Sequence, residues 1–215
     1  KDSKISKFVT NKKKTLAVRF PSHPRAKSLL KILNYPLAAP SANISSRVSP
    51  VTKNHVKEEF GKKIKYIIEG GLSKIGLEST IINLIGKPEV LRIGSIDINK
   101  LSKALKRKLF YRKKTYMKVP GQNRLHYSPG IPLRMNCKEA SLDEAFILVK
   151  KRNNSNKNFF YLSKNKNLKE AARNLYSVLR MIKKKGYKKI AVEKIENKGI
   201  GLAINDRLQK ASTKK

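Results

Sequence analysis

One stretch of the chain, residues 36–50 (PLAAPSANISSRVSP), limits most strongly what the sequence can fold into. Prolines at positions 36, 40 and 50 fix the backbone φ and remove amide donors, so the stretch is predicted to be a stiff loop rather than a helix or central strand. Its only charged residue is Arg47, and its other polar side chains are small: Ser41, Asn43, Ser45, Ser46 and Ser49. Such hydroxyl and amide groups hold anionic oxygens through hydrogen bonds. A polar turn that only caps the next helix is the alternative.

The end of this loop reads as the beginning of a helix. Ser49 followed by Pro50 matches an N-cap followed by a first-turn proline, and the helix is predicted from about Pro50 to Phe60, ending at Gly61. Because a helix N-terminus favours phosphate, the loop and the helix together predict an anion site.

A second candidate lies upstream, in residues 15–20 (TLAVRF), which alternate as a half-buried strand does. Thr15 and Arg19 are predicted on one face, where a hydroxyl and a guanidinium jointly hold a carboxylate or phosphate. The alternative is an edge strand with a solvated arginine.

Other patterns up to residue 110 indicate short, interleaved strands and helices. They are a helix capped by Ser22 with Pro24 in its first turn, strands at Lys65–Glu69, Thr80–Ile85 and Glu89–Ile93, and a helix capped by Asp97. Because strand and helix periods alternate, residues 1–110 are predicted to form an α/β unit and not a helical bundle.

Residues 111–136 show no clear period and contain Pro-Gly pairs, which is typical of a linker. A connection of this length is either a surface tether or a lid, and Arg124, His126 and Tyr127 would let a lid cover a nucleotide.

From residue 137 onward the pattern indicates a small parallel α/β layer. Buried strands are predicted at Ala145–Val149, Phe159–Leu162 and Ile190–Val192, with a helix from an Asn167 cap to Gly186 and a closing helix after Gly199 and Gly201. The glycine pair lacks the third glycine and the downstream acid of a dinucleotide site, so no such cofactor is predicted.

The charge balance indicates anionic partners. The chain carries 51 Lys and Arg against 14 Asp and Glu, a formal net charge of +37, which attracts RNA or nucleotides. The alternative is that the lysines reflect an AT-rich coding sequence. A lone Cys137 and three distant histidines predict no metal site and a reducing cytoplasm, and no apolar run is long enough for a membrane span. The sequence begins without an initiating methionine or an apolar signal core, so the chain is expected to be a fragment of a longer protein.

Several blocks, taken together and in order, resemble the threonylcarbamoyl-AMP synthase family, whose core is a YrdC-like domain. The blocks are TLAVRFPSHP, PLAAPSANISSRVSP, GGLSKIGLESTIINL and VLRIGSI, then VPGQNRLHYSP, LKEAARNLYSVLR and GIGLAINDRLQKAS. The resemblance implies a YrdC-like twisted mixed sheet with helices over residues 1–110, a linker or lid over 111–136, and a small Rossmann-like parallel α/β domain over 137–215.

The family joins L-threonine, bicarbonate or CO₂, and ATP, and releases threonylcarbamoyl-AMP and pyrophosphate, a nucleotidyltransferase reaction. A partner transferase complex then modifies adenosine 37 of tRNA. Mg²⁺ is expected on the triphosphate from the chemistry of the reaction and not from any ligand motif in the sequence, and no separate metal site or catalytic nucleophile is assigned. The resemblance implies two groups of binding residues: for ATP, Thr15, Ser41, Asn43, Ser49, Arg92 and Tyr127; for threonine, Arg19, Ala39 and Ser79.

The sequence departs from the family pattern at three places, of which the first two are tolerable and the third is serious. The family usually has Gly where Ser46 stands and Pro where Ile93 stands. Its N-terminal section, with a PT-x-T-x-YGL stretch and a Lys-x-Arg pair that bind ATP and threonine, has no counterpart, so the isolated chain is expected to lack part of its site.

Two other functions remain open. One is a basic module of the same fold that binds tRNA or double-stranded RNA without catalysis. The other is a carbamoyltransferase of hydrogenase maturation, against which the HYSP linker, the C-terminal block and the absence of a cysteine-rich zinc region argue.

Overall fold

The computed structural model describes residues 5–10, 12–111, 119–121, 126–154 and 156–212. Their elements, in chain order, are α1 (Pro24–Ile32), α2 (Lys53–Phe60), a 3-10 helix (Gly61–Lys63), β1 (Ile81–Asn83), β2 (Glu89–Arg92), α3 (Ile98–Leu105), β3 (Phe110–Tyr111), β4 (Leu133–Cys137), β5 (Ala145–Lys150), β6 (Phe159–Ser163), α4 (Leu168–Lys184), β7 (Ile190–Glu193) and α5 (Ile200–Ser212).

A small mixed sheet forms the first half, in the order β1-β2-β3. Strands β1 and β2 pair antiparallel around the Gly86 turn, which confirms the predicted hairpin, and β3 adds a parallel strand. The cap of α3 is also confirmed, because the Asp97 carboxylate accepts from the amides of Asn99 and Lys100. The apolar stripe of α3 then packs against Val90 and Leu109.

A parallel sheet in the order β4-β7-β5-β6 forms the second half. The buried strands and the two helices predicted after residue 137 are confirmed. Strand β4 was not predicted, because only Leu133 and Cys137 at its ends are buried and exposed Arg134 and Asn136 interrupt the apolar signal. It begins inside the predicted linker. The division at residues 110 and 136 stays a prediction.

Two predicted strands are wrong. Residues 15–20 and 65–69 form no strand in the described part of the chain. Val18 is 72% exposed and Phe20 is 94% exposed, so the apolar face of the first segment covers nothing. An extended segment becomes a strand only where a neighbouring backbone accepts its hydrogen bonds, and an alternating pattern does not reveal whether that neighbour is present.

Two predicted helix starts are also wrong. The N-cap of α1 is His23, which makes no side-chain cap bond, rather than Ser22. Helix α2 begins after Thr52, whose hydroxyl accepts from the amide of His55, rather than after Ser49. Both helices still begin close to a proline, because proline suits the turn that enters a helix.

The Asn167 cap of α4 is confirmed, but not as half of a capping box. Its side-chain oxygen accepts from the amides of Lys169 and Glu170. The Glu170 carboxylate does not reach back to the cap but accepts from Ser163 Oγ at 2.6 Å. The same hydroxyl accepts from the backbone amide of Asn167 at 2.9 Å. The end of β6 and the start of α4 are therefore joined through one serine.

The two halves pack against each other along α4. Val48 and Val51, which follow the serine-rich loop, share one apolar core with Leu175 and Leu179 of α4. Gly76 has a φ of +77°, and a Cβ there would lie 2.5 Å from the carbonyl oxygen of Arg173. The loop that precedes β1 therefore rests directly on the backbone of α4. No helix among the residues described above is long and apolar enough to cross a membrane.

Gly76→Ala is expected to loosen this contact. A left-handed backbone costs a residue with a Cβ about 1 to 2 kcal/mol, and the clash with the α4 backbone adds about 1 to 3 kcal/mol. Gly86→Ala is the matched control, because Gly86 has a φ of +71° and faces open space. Urea unfolding should show a clearly larger loss of free energy of unfolding for Gly76→Ala, and equal losses would contradict the close packing.

Candidate functional site

Four of the predicted binding residues meet at the junction of the two halves. Ser49, Ser79, Arg92 and Tyr127 lie around the carboxylate of Glu78, directly or through shared partners. The other predicted residues, Thr15, Arg19, Ala39, Ser41 and Asn43, make no described contact with this cluster. All of these except Thr15 and Asn43 are exposed.

Glu78 is the centre of the cluster. Its carboxylate accepts from Ser49 Oγ at 2.7 Å, from the Tyr176 hydroxyl at 2.9 Å and from Arg207 Nε at 2.8 Å. The carboxylate therefore joins the serine-rich loop to α4 and α5. Only 16% of the Glu78 side chain and none of the Arg207 side chain is exposed.

Glu78 stays ionised in this setting. Burial by itself raises the pKa of the carboxyl, but the charge of Arg207 and the hydrogen bonds from Ser49 and Arg207 outweigh burial and hold the pKa below its usual value. Burial, followed by the charge of Glu78, raises the pKa of Tyr176 well above the ordinary value, so its hydroxyl stays protonated and donates. A carboxylate with three donors and a lowered pKa is a structural anion rather than a general base.

Arg92 is the second feature of the site. The residue is 7% exposed, and its side chain donates from Nε to the Ser79 carbonyl, from Nη2 to the Ser79 hydroxyl and from Nη1 to the Pro120 carbonyl at 3.0 Å. None of the ion pairs within the described ranges includes Arg92. A buried guanidinium that is held by neutral oxygens keeps its charge available for an anion.

Tyr127, which lies in the segment predicted as a linker, covers the cluster. Tyr127 is 1% exposed, and its ring stacks on that of Tyr176 with the two centroids 5.9 Å apart. The guanidinium carbon of Arg207 lies over the Tyr127 ring, 5.1 Å from its centroid. Burial, followed by the Glu78 charge, raises the pKa of Tyr127 to about 12. Its hydroxyl points at Gly121, where a Cβ would have no room.

The serine-rich loop is closed by its own groups. The Asn43 amide donates to the carbonyls of Ile44 and Arg47, so this predicted ATP residue holds the loop shape. The Ser46 carbonyl accepts from the Ser128 amide at 2.9 Å, which joins the loop to the linker next to Tyr127. Ser46 has a φ of +66°, a conformation that glycine adopts without strain. This agrees with the glycine that the family usually has at this position.

Three residues of this junction were missed from the sequence: Tyr176, Arg180 and Arg207. Arg180 on α4 donates to the Val48 carbonyl and to Glu59 of α2. A signal was present for Arg207, which lies on the apolar stripe of α5 between Ile204 and Leu208. A charged residue in such a stripe indicates a buried partner elsewhere, but the stripe does not identify the partner.

Two family models match the chain. Residues 1–94 match the Sua5, YciO and YrdC model, whose description is telomere recombination. Residues 91–213 match the model described as the C-terminal domain of threonylcarbamoyl-AMP synthase.

Similar proteins are named threonylcarbamoyl-AMP synthase, as the second family model is. The threonylcarbamoyl-AMP synthase of Pyrococcus abyssi is 33% identical over 99% of this chain and 68% of its own length. That of Schizosaccharomyces pombe is 34% identical over 97% of this chain and 60% of its own length. The crystal structure of P. abyssi Sua5 complexed with L-threonine superposes with a TM-score of 0.83 at 32% identity, over 97% of this chain and 67% of that chain. The chain thus spans about two thirds of the relatives that it matches.

Glu78→Gln is expected to lower the free energy of unfolding at pH 7 by about 3 to 5 kcal/mol, because it removes one of the two carboxylates that compensate the buried charge of Arg207. A carboxyl with a lowered folded pKa contributes stability above its unfolded pKa and loses it as the pH falls through the folded pKa. The difference from wild type should therefore shrink below about pH 4.5. Urea midpoints at pH 7 and pH 3 measure this.

Glu58→Gln on the exposed surface of α2 is the control and should change little at either pH. A Glu78→Gln deficit that persists undiminished at pH 3 would show that the side-chain change, and not the charge, causes the loss.

Proposed function

Because the chain belongs to the threonylcarbamoyl-AMP synthase family, we propose that it acts in the synthesis of threonylcarbamoyl-AMP and pyrophosphate from L-threonine, bicarbonate or CO₂, and ATP. It is then part of a nucleotidyltransferase that works in the cytoplasm. Its product supplies a transferase complex that modifies adenosine 37 of tRNA.

The observation that carries this proposal is the buried Arg92 guanidinium, which has no carboxylate partner in the described ranges and is held next to Ser79 and Tyr127. A positive charge in such a place suits the phosphates of a nucleotide. The P. abyssi relative whose fold matches was crystallised with L-threonine, which supports threonine as the second substrate.

The proposed reaction needs no covalent nucleophile on the protein. The threonine amine adds to CO₂ to give a carbamate and loses a proton. A carbamate oxygen then attacks the α-phosphorus of ATP, the bond from that phosphorus to the bridging oxygen breaks, and pyrophosphate leaves. Charge spreads over phosphoryl oxygens, so fixed donors and cations lower the barrier.

The residue roles in this proposal are those that the resemblance implies. ATP is bound by Thr15, Ser41, Asn43, Ser49, Arg92 and Tyr127, and threonine by Arg19, Ala39 and Ser79. Ser49, Ser79, Arg92 and Tyr127 are supported by their meeting at one junction. Arg19 and Ser41 are supported only by exposure, which leaves their side chains free to bind.

We propose that Mg²⁺ accompanies the triphosphate rather than occupying a protein cage. Mg²⁺ keeps several waters and binds through phosphates and one or two carboxylates. Glu78 has its oxygens engaged by Ser49, Tyr176 and Arg207, and Asp206 is paired with Arg207 and Lys210, so neither carboxylate suits the metal. The phosphates and water are therefore the expected ligands, and the metal would neutralise charge on the leaving pyrophosphate.

A second candidate is binding of tRNA or double-stranded RNA, which the net charge of +37 favours. Its affinity would fall steeply with salt, and it would not need the serine-rich loop. The match of residues 91–213 to the synthase C-terminal domain argues against a carbamoyltransferase of hydrogenase maturation.

Formation of threonylcarbamoyl-AMP from ¹⁴C-bicarbonate, threonine and ATP tests the synthase proposal, in this chain and in any longer protein from the same gene. Arg19→Ala should raise the KM for threonine roughly 10- to 100-fold, because hydrogen bonds to charged groups contribute about 1.5 to 3 kcal/mol. Ser41→Ala should raise the KM for ATP about 3- to 10-fold, because a neutral hydrogen bond contributes about 0.5 to 1.5 kcal/mol.

Ser45→Ala is the matched control, since Ser45 is an exposed serine of the same loop with no proposed role. If the folded proteins make no threonine-dependent product, the synthase proposal is wrong, and the salt dependence of RNA binding becomes the next measurement.

A further inference from the structure

Arg207 of α5 is a buried cation, and burying its charge is unfavourable unless partners compensate it. None of its side chain is exposed, and its Nε donates to Glu78 at 2.8 Å while Nη1 donates to Asp206 at 2.6 Å. Lys210 also contacts Asp206, at 2.8 Å. Two cations therefore face two carboxylates, and the charge of Arg207 is compensated within the protein.

This compensation distinguishes Arg207 from Arg92. Arg92 keeps a charge that suits an external anion, whereas Arg207 is already neutralised by Glu78 and Asp206. A buried ion pair contributes little net stability compared with apolar residues of the same size. The role of Arg207 is therefore better sought in the geometry that it imposes than in stability or in ligand charge.

The geometry in question is that of Tyr127. Its φ of +60° is a left-handed conformation that is unfavourable for a residue with a Cβ, so the surroundings of Tyr127 must hold it. The ring lies between Tyr176 and the Arg207 guanidinium, and the next amide, that of Ser128, is bonded to the Ser46 carbonyl. The placement of this ring therefore sets the contact between linker and serine-rich loop.

We propose that Arg207 is a positioning residue that holds Tyr127 through its ring and Ser49 through Glu78, so that the C-terminal half keeps two side chains with proposed roles in ATP binding in place. The inference rests on the proposed function for the identity of the ligand. The contact geometry stands without it. The C-terminal half thereby acquires a defined task, which is to hold the linker over the site.

The first test needs no ligand. Arg207→Met removes the charge and keeps most of the volume, and hydrogen exchange followed by mass spectrometry reports on residues 126–128. Exchange there is expected to be at least about 10-fold faster in Arg207→Met than in wild type, because the Tyr127 ring loses its cover. Unchanged exchange in this segment would overturn the proposal.

Arg180→Met is the matched control. Arg180 also reaches across the junction, to Val48 and Glu59, and is 15% exposed, but it contacts neither Tyr127 nor Glu78. It is expected to lower the thermal midpoint without raising exchange in residues 126–128. If both variants raise the exchange rate of residues 126–128 equally, Arg207 only holds the two halves together, and the proposal is wrong.

The second test uses ATP and L-threonine, each titrated by calorimetry. Arg207→Met should weaken ATP binding at least about 10-fold and leave the Kd for threonine within about 2-fold. In a Tyr127→Ala background the same substitution should have a much smaller effect on ATP, because Arg207 acts largely through Tyr127. Full additivity of the two losses would overturn the proposal.

The two tests separate the possible failures. If wild type binds no ATP but Arg207→Met frees residues 126–128, the proposed function fails and the positioning role stands. If wild type binds ATP and Arg207→Met changes neither ATP binding nor exchange, the positioning role fails alone.

Discussion

The ion pair between Glu78 and Arg207 connects parts of the chain that are 129 residues apart. Its carboxylate also receives hydrogen bonds from Ser49 and Tyr176, so one anion holds the serine-rich loop, α4 and α5. Removing two charges from water is costly, and their mutual attraction compensates only when the geometry is good. The fold around this pair is therefore constrained in distance and in direction.

The packing at the junction supplies that geometry. Gly76 lets the chain before Glu78 lie directly on the backbone of α4, and Val48 and Val51 extend the apolar core of the parallel sheet toward the serine-rich loop. Arg180 adds a second polar contact across the same junction. The close approach and the apolar contacts bring the partners together, and the charges determine which orientation is satisfied.

The same arrangement accounts for a site built from positioning rather than from a reactive group. Glu78 is ionised and fully engaged, so it does not serve as a base. Arg92, held by Ser79 and Pro120, is buried with its charge available to an anion. The proposed transfer of a nucleotidyl group depends mainly on holding phosphates and reactants in line, and a rigid junction with fixed donors suits such chemistry.

Local patterns were sufficient for the strands and helices that bury their own faces. The parallel layer after residue 137, the hairpin around Gly86 and the caps at Asp97 and Asn167 follow from periodicity and capping chemistry, which act over a few residues. The motif blocks also indicated the family. The segment at residues 15–20 and the pairing of Glu78 with Arg207 depend on neighbours far along the chain. Only the tertiary structure could decide these two features. Sheet partners and buried counter-charges depend on which surfaces pack together, and a local sequence pattern does not contain that information.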